Sequence, residues 1–139
     1  MNPKLRIILA AAIGIVVGAI VIFAVELFSP HQPPADLDIN DKVKFAEWVK
    51  TLPASAFFIL LLAYFLGSAV GGLVTNLVAG PRYRPALVTG LGLFVAGLMN
   101  VLEVPHPLWF VVASSLTYFL GAWIGGRLVG MGAKTNARR

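Results

Sequence analysis

Four long apolar runs divide the chain, at about residues 5–28, 54–79, 86–104 and 108–131. Each is long enough to cross a hydrocarbon core of ~30 Å, which takes ~20 residues of helix. The pattern predicts an all-α fold: a polytopic membrane four-helix bundle, one transmembrane domain over 1–139, built as two tandem hairpins. Proline supplies the punctuation. Ser29-Pro30-His31-Gln32-Pro33-Pro34 ends the first run, because proline has no N–H and restricts the residue before it. Gly80-Pro81-Arg82-Tyr83-Arg84-Pro85 and Val104-Pro105-His106-Pro107 are short connections, which make the helices they join antiparallel neighbours.

Between the first two runs the period changes. Over residues 39–52, Asn40, Lys44, Glu47 and Thr51 share one face, while Phe45, Trp48, Val49 and Leu52 share the other. This predicts a short interfacial helix in the first outer loop, with Asp38 as N-cap and Trp48 at headgroup level. A cap over the end of the bundle is the other arrangement such a helix can take. Trp109 and Phe110, directly after the last connection, are expected in the outer aromatic belt. The polar, basic tail from Gly132 is expected to lie irregular against the anionic leaflet.

Inside the runs the apolar pattern is interrupted by small residues at helical spacing. Gly14 and Gly18 notch the first run after Ala10-Ala11-Ala12; Gly67 and Gly71 notch the second, Gly121 and Gly125 the fourth. Glycines four apart let two helix backbones approach closely. The last two pairs sit in a repeated phrase, Tyr64-Phe65-Leu66-Gly67-Ser68-Ala69-Val70-Gly71-Gly72 and Tyr118-Phe119-Leu120-Gly121-Ala122-Trp123-Ile124-Gly125-Gly126. Glu then Pro-His also closes both odd runs, at Glu26, Pro30, His31 and at Glu103, Pro105, His106. Together these spacings read as a parallel internal repeat, one hairpin per unit. Polar residues share the glycine faces: Tyr64 and Thr75, with Asn76 beside them; Thr89, Gly92, Ala96, Asn100 and Glu103; Ser114 and Tyr118.

Composition agrees with a bilayer protein: 58% of residues are hydrophobic, 12% are charged, and mean hydropathy is +0.85. The net charge of +5 reflects topology rather than nucleic-acid binding. Lys4, Arg6, Arg82, Arg84, Arg127, Lys134, Arg138 and Arg139 fall at one membrane face, and only Lys42, Lys44 and Lys50 at the other. The positive-inside rule then places both termini in the cytoplasm of a multi-pass protein of the cell inner membrane. The first run is too long for a secretory h-region, and Val25-Glu26-Leu27-Phe28 offers no small-x-small cleavage site, so it reads as a retained span. The absence of cysteine excludes disulfides and thiolate chemistry.

Candidate chemistry is thin. Glu26, His31, Asn100, Glu103 and His106 gather at the outer ends of the first and third runs and form a candidate polar cluster. Two carboxylates and two imidazoles can bind a metal or relay protons, but no spacing among them is a ligand signature. The simpler role is carboxylates and imidazoles at helix ends within reach of water. Asp36, Asp38, Asn40, Val43 and Glu47 match an EF-hand loop at five positions, but Asp41 stands where that loop needs glycine. Capping the short helix is the plainer task for these residues. No metal, cofactor or catalytic residue is therefore assigned.

Several short stretches carry a resemblance. The Asn2-x-Lys4 start, Gly14-x-x-x-Gly18 in an Ala-rich span, Asp38-Ile39-Asn40-Asp41, Pro107-Leu108-Trp109-Phe110 and Ala122-Trp123-Ile124-Gly125 resemble a group of small four-span bacterial inner-membrane proteins without a known activity. The resemblance implies topology and no mechanism. Members of that group often carry His where Tyr64 stands and Asp where Ser114 stands, so this chain's residues imply less proton-coupled chemistry. The expected function is that of a non-enzymatic integral membrane protein acting through glycine-mediated packing, as a homo-oligomer or an accessory subunit of another membrane protein. The alternative is a small solute or ion transporter or channel with a polar path near Asn100 and Glu103.

Overall fold

The structure is a computed structural model that describes residues 1–80 and 84–136, with side chains described as far as Met131. Among the described residues five helices follow one another: α1 (Pro3–Leu27), α2 (Lys42–Lys50), α3 (Ala54–Ala79), α4 (Ala86–Glu103) and α5 (Leu108–Asn136). Four are long and apolar enough to cross a membrane: α1, α3, α4 and the Leu108–Met131 part of α5. The chain is thus an all-helical, multi-pass membrane protein by length and composition.

Local sequence sets the helix ends. Asn2 caps α1 by accepting from the Lys4 N–H at 2.9 Å, with Pro3 in the first turn, where its missing N–H costs nothing. At the other end of α1, Gln32 folds back and its amide donates to the carbonyls of Glu26 (2.6 Å) and Ser29 (3.1 Å). Gly80 ends α3 at φ 89°, a left-handed conformation that glycine adopts without penalty.

Small residues fill the centre of the bundle. The largest fully buried side chains are Phe110, Thr75, Thr89 and Ser68, while Ile8, Ile20, Phe23, Leu62, Leu116 and Leu120 are exposed. In water this would be an inside-out protein; against acyl chains it is the expected arrangement. Helix α3 is the hub, with extensive interfaces to both α1 and α5. Helix α4 packs chiefly on α5 and touches α3 and α1 less.

All six spaced glycines lie at these contacts. A Cβ on Gly71 would come within 2.6 Å of the Gly14 carbonyl oxygen, and one on Gly67 within 2.6 Å of the Gly18 carbonyl oxygen. Reciprocally, Gly14 and Gly18 face the carbonyls of Gly71 and Gly67 at 2.6 and 2.7 Å. Gly121 lies against the Phe65 carbonyl at 2.6 Å, and Gly125 against the backbone of Ala69. The two copies of the repeated phrase therefore lie alongside each other in parallel, but they do unlike jobs. Gly67 and Gly71 receive α1, whereas Gly121 and Gly125 receive α3. Helix α4 instead meets α5 through Gly90, beside Ala122, and Gly97, beside Tyr118. The contacts are thus not those of two equivalent hairpins.

Three expectations need correction. The buried face of α4 runs through Ala86, Thr89, Gly90 and Leu93; Asn100 and Glu103 are exposed, because the helix turns its Gly90–Gly97 side, not its Gly92–Ala96 side, to α5. Phe110 is fully buried against Phe57 and Tyr64, and only its neighbour Trp109 is partly exposed, since adjacent helical residues point about 100° apart. Helix α5 continues to Asn136 instead of ending near Gly132. Arg82, Arg138 and Arg139, used in the charge argument, lie outside the described residues, as does the side chain of Lys134.

Candidate functional site

One end of the bundle is formed by the last turns of α1 and α4 and the first turns of α3 and α5. Helix α2 lies across it. The sequence places the N-cap at Asp38, but Asp38 instead closes a turn, its carboxylate accepting from the Asn40 N–H at 2.9 Å. Asp41 is the cap, accepting from the Lys44 N–H at 3.2 Å. That bond and the nearby Lys44 ammonium hold the Asp41 carboxyl below the usual aspartate range. The helix is correspondingly shorter than expected, and Thr51 terminates it by donating its hydroxyl to the Trp48 carbonyl at 2.7 Å.

The apolar face of α2 looks inward. Val49 is buried with Phe57 and Tyr64, and Phe45, Trp48 and Leu52 pack against the same cluster. The helix thus covers this end of the bundle with its apolar face. Beneath it lies a cavity of about 490 Å³. Its walls are mostly apolar and aromatic: Phe23 from α1, Phe45 and Trp48 from α2, Phe57 and Tyr64 from α3, and Val104 after α4. Ligand pockets in proteins run ~300–1,000 Å³, with apolar walls and a few placed polar groups, and this cavity has that character.

Four of the five residues in the expected polar cluster line the cavity: Glu26, His31, Asn100 and His106. Glu103 does not. It points outward and pairs with Lys42 of α2 at 3.3 Å, with both side chains largely exposed, so the pair contributes little energy while latching the cap to α4. His31 is held at the rim, its Nε2 3.3 Å from the Ser55 hydroxyl. His106 stacks on Phe110 with ring centroids 5.2 Å apart. Its Nδ1 lies 2.7 Å from the Val104 carbonyl, which can only accept, so Nδ1 carries a proton and donates it there. The half-buried Glu26 carboxylate has no hydrogen bond or ion pair among the described residues.

The remaining intramembrane polar groups are engaged in packing. Asn76 donates its amide to the Gly126 carbonyl at 2.9 Å and accepts from the Ala86 N–H at 3.0 Å, tying α3 to α5 and to the start of α4. The Thr75 and Thr89 hydroxyls meet at 2.5 Å, and Thr75 also donates to the Gly71 carbonyl. Tyr64 and Tyr118 stack at 4.9 Å. Ser114 returns its hydroxyl to the Val111 carbonyl. Among the described residues no three His, Asp or Glu side chains gather as metal ligands, and the calcium-loop match from Asp36 to Glu47 falls on the turn and cap just described. Sequence reasoning missed the aromatic walls. The signal was present in the spacing of Phe45, Trp48, Val49 and Leu52, which marks an apolar face without saying what it covers.

Comparison with family models, curated proteins and solved structures finds no match.

Proposed function

We propose that this is a non-enzymatic inner-membrane protein that binds a small, largely apolar solute in the cavity beneath α2. This is the transporter-like reading in narrower form. The observation that carries it is the cavity itself: sized for a ligand, walled by aromatic rings, and supplied with Glu26, Asn100, His31 and His106. The reading that gives the glycines to a homo-oligomer or a partner subunit has less support, because each of the six is covered by another helix of the same chain.

Charge distribution orients the proposal. Arg6, which donates to the Val78 carbonyl at 3.2 Å, lies at the end opposite the cavity, as does Arg127, whose guanidinium sits 4.3 Å from the Trp123 ring centre. The positive-inside rule makes that end cytoplasmic, so the cavity opens to the outer face.

The chain has no cysteine, so one reporter can be added cleanly. Ala56→Cys places a thiol on the cavity wall. Labelling by a membrane-impermeant maleimide from the outer face, accelerated by Trp48→Ala, is the expected result. Labelling only by a lipid-soluble reagent, at a rate indifferent to Trp48, would overturn the reading.

A further inference from the structure

Within the cavity the electrostatics are one-sided. Among the described residues Glu26 is the only Asp, Glu, Lys or Arg side chain on its wall, although Lys42, Lys44 and Lys50 all lie on the covering helix. Lys42 and Lys44 point elsewhere, to Glu103 and to Asp41. A carboxylate drawn out of water without a partner is costly, and the described residues supply none here. Five aromatic rings, Phe23, Phe45, Trp48, Phe57 and Tyr64, share the wall with it, and the π-system of such a ring attracts a cation. Of the two imidazoles on the wall, His106 is tied through Nδ1 to the Val104 carbonyl and His31 through Nε2 to the Ser55 hydroxyl.

We infer that the cavity takes a lipophilic organic monocation, its charge on Glu26 and its apolar body among the rings. This rests on the ligand-binding reading above and gives that reading a ligand class. An anionic amphiphile would face the Glu26 carboxylate with, among the described residues, no Lys or Arg on the wall to receive it. A lipid tail would fill the apolar part and gain nothing from the carboxylate.

The test uses the full chain in uncharged detergent or zwitterionic nanodiscs and two probes of the same shape. Benzyltrimethylammonium carries a charge; neopentylbenzene has carbon in place of the nitrogen. The cation should bind the native chain more tightly than its neutral twin, and Glu26→Gln should weaken the cation by about tenfold or more while sparing the neutral probe. Trp48→Ala should weaken the cation further, and Leu60→Trp, which fills the cavity, should abolish both. Equal affinity for the two probes, or no effect of Glu26→Gln, overturns the cation inference. If Leu60→Trp still removes the neutral probe in that case, the cavity stands as an apolar site for a neutral solute or lipid tail. If neither probe binds the native chain, the ligand-binding reading falls too.

Discussion

Asn76 shows how much a single polar side chain can hold inside this membrane protein. It serves two backbone groups on two other helices, and one of them, the Ala86 N–H, is an orphan donor at the start of α4. Asn76→Leu should lower stability by about 2 kcal/mol, the order expected when a buried donor is left unsatisfied. Reversible unfolding in mixed micelles measures it, and Asn100→Leu, at an exposed position, should leave the same curve unmoved. Sequence spacing put both asparagines on packing faces. Only Asn76 is on one, because α4 carries Gly90 and Gly97 on one side and Gly92 and Ala96 on another, which left two candidate faces and nothing local to choose between them. Asp41 is the second residue with a measurable signature. Its carboxyl is held below the ordinary 3.8, so its support for the first turn of α2 is complete above that value and is lost as pH falls through the lower folded value. The Lys44 amide resonance should therefore titrate below pH 3.8, and Asp41→Ala should abolish that titration.

At the level of helices, the interfaces are set by how closely backbones approach. At Gly71 the obstacle to a side chain is a carbonyl of α1, which cannot swing aside, so Gly71→Ala forces the two helices apart. A loss of about 1–3 kcal/mol is expected, as for overpacking in a filled core. Gly130→Ala is the control: the nearest atom to its Cβ is the tip of Arg84, 3.5 Å away, so thermal unfolding in detergent should change little. The spans were legible in the sequence because hydropathy over about 20 residues is a strong, local signal. Which helix each glycine meets was not, because spacing marks a notch and leaves its partner unnamed. The repeated phrase is the clearest case. Near-identical stretches at Tyr64 and Tyr118 invite equivalent roles, yet one receives α1 and the other α3. Helix α2 was likewise visible as an amphipathic segment, but an apolar face does not name the residues it covers, and those come from distant parts of the chain.

Across the whole molecule, two features follow from one cause. Where Gly14, Gly18, Gly67 and Gly71 stand, α1 and α3 meet at backbone distance; beyond Gly18 and Gly67 the pattern gives way to Ile22, Phe23, Leu60 and Phe57, larger side chains at the end that holds the cavity. Tight packing at mid-membrane and a ligand-sized space at one end are thus two outcomes of one change in residue size along the same helices. The account stands on the small-residue face of α3 pointing inward within a single chain. Oxygen accessibility of spin labels, placed one at a time along α3 in nanodiscs holding one chain each, tests this most directly. Labels at Phe58, Leu62 and Leu66 should be readily reached by oxygen, and labels at Ala63, Ser68 and Thr75 should be shielded even with no second chain present. High accessibility at Ser68 and Thr75 in singly loaded discs would mean that the notches face lipid or another chain, and would contradict the account.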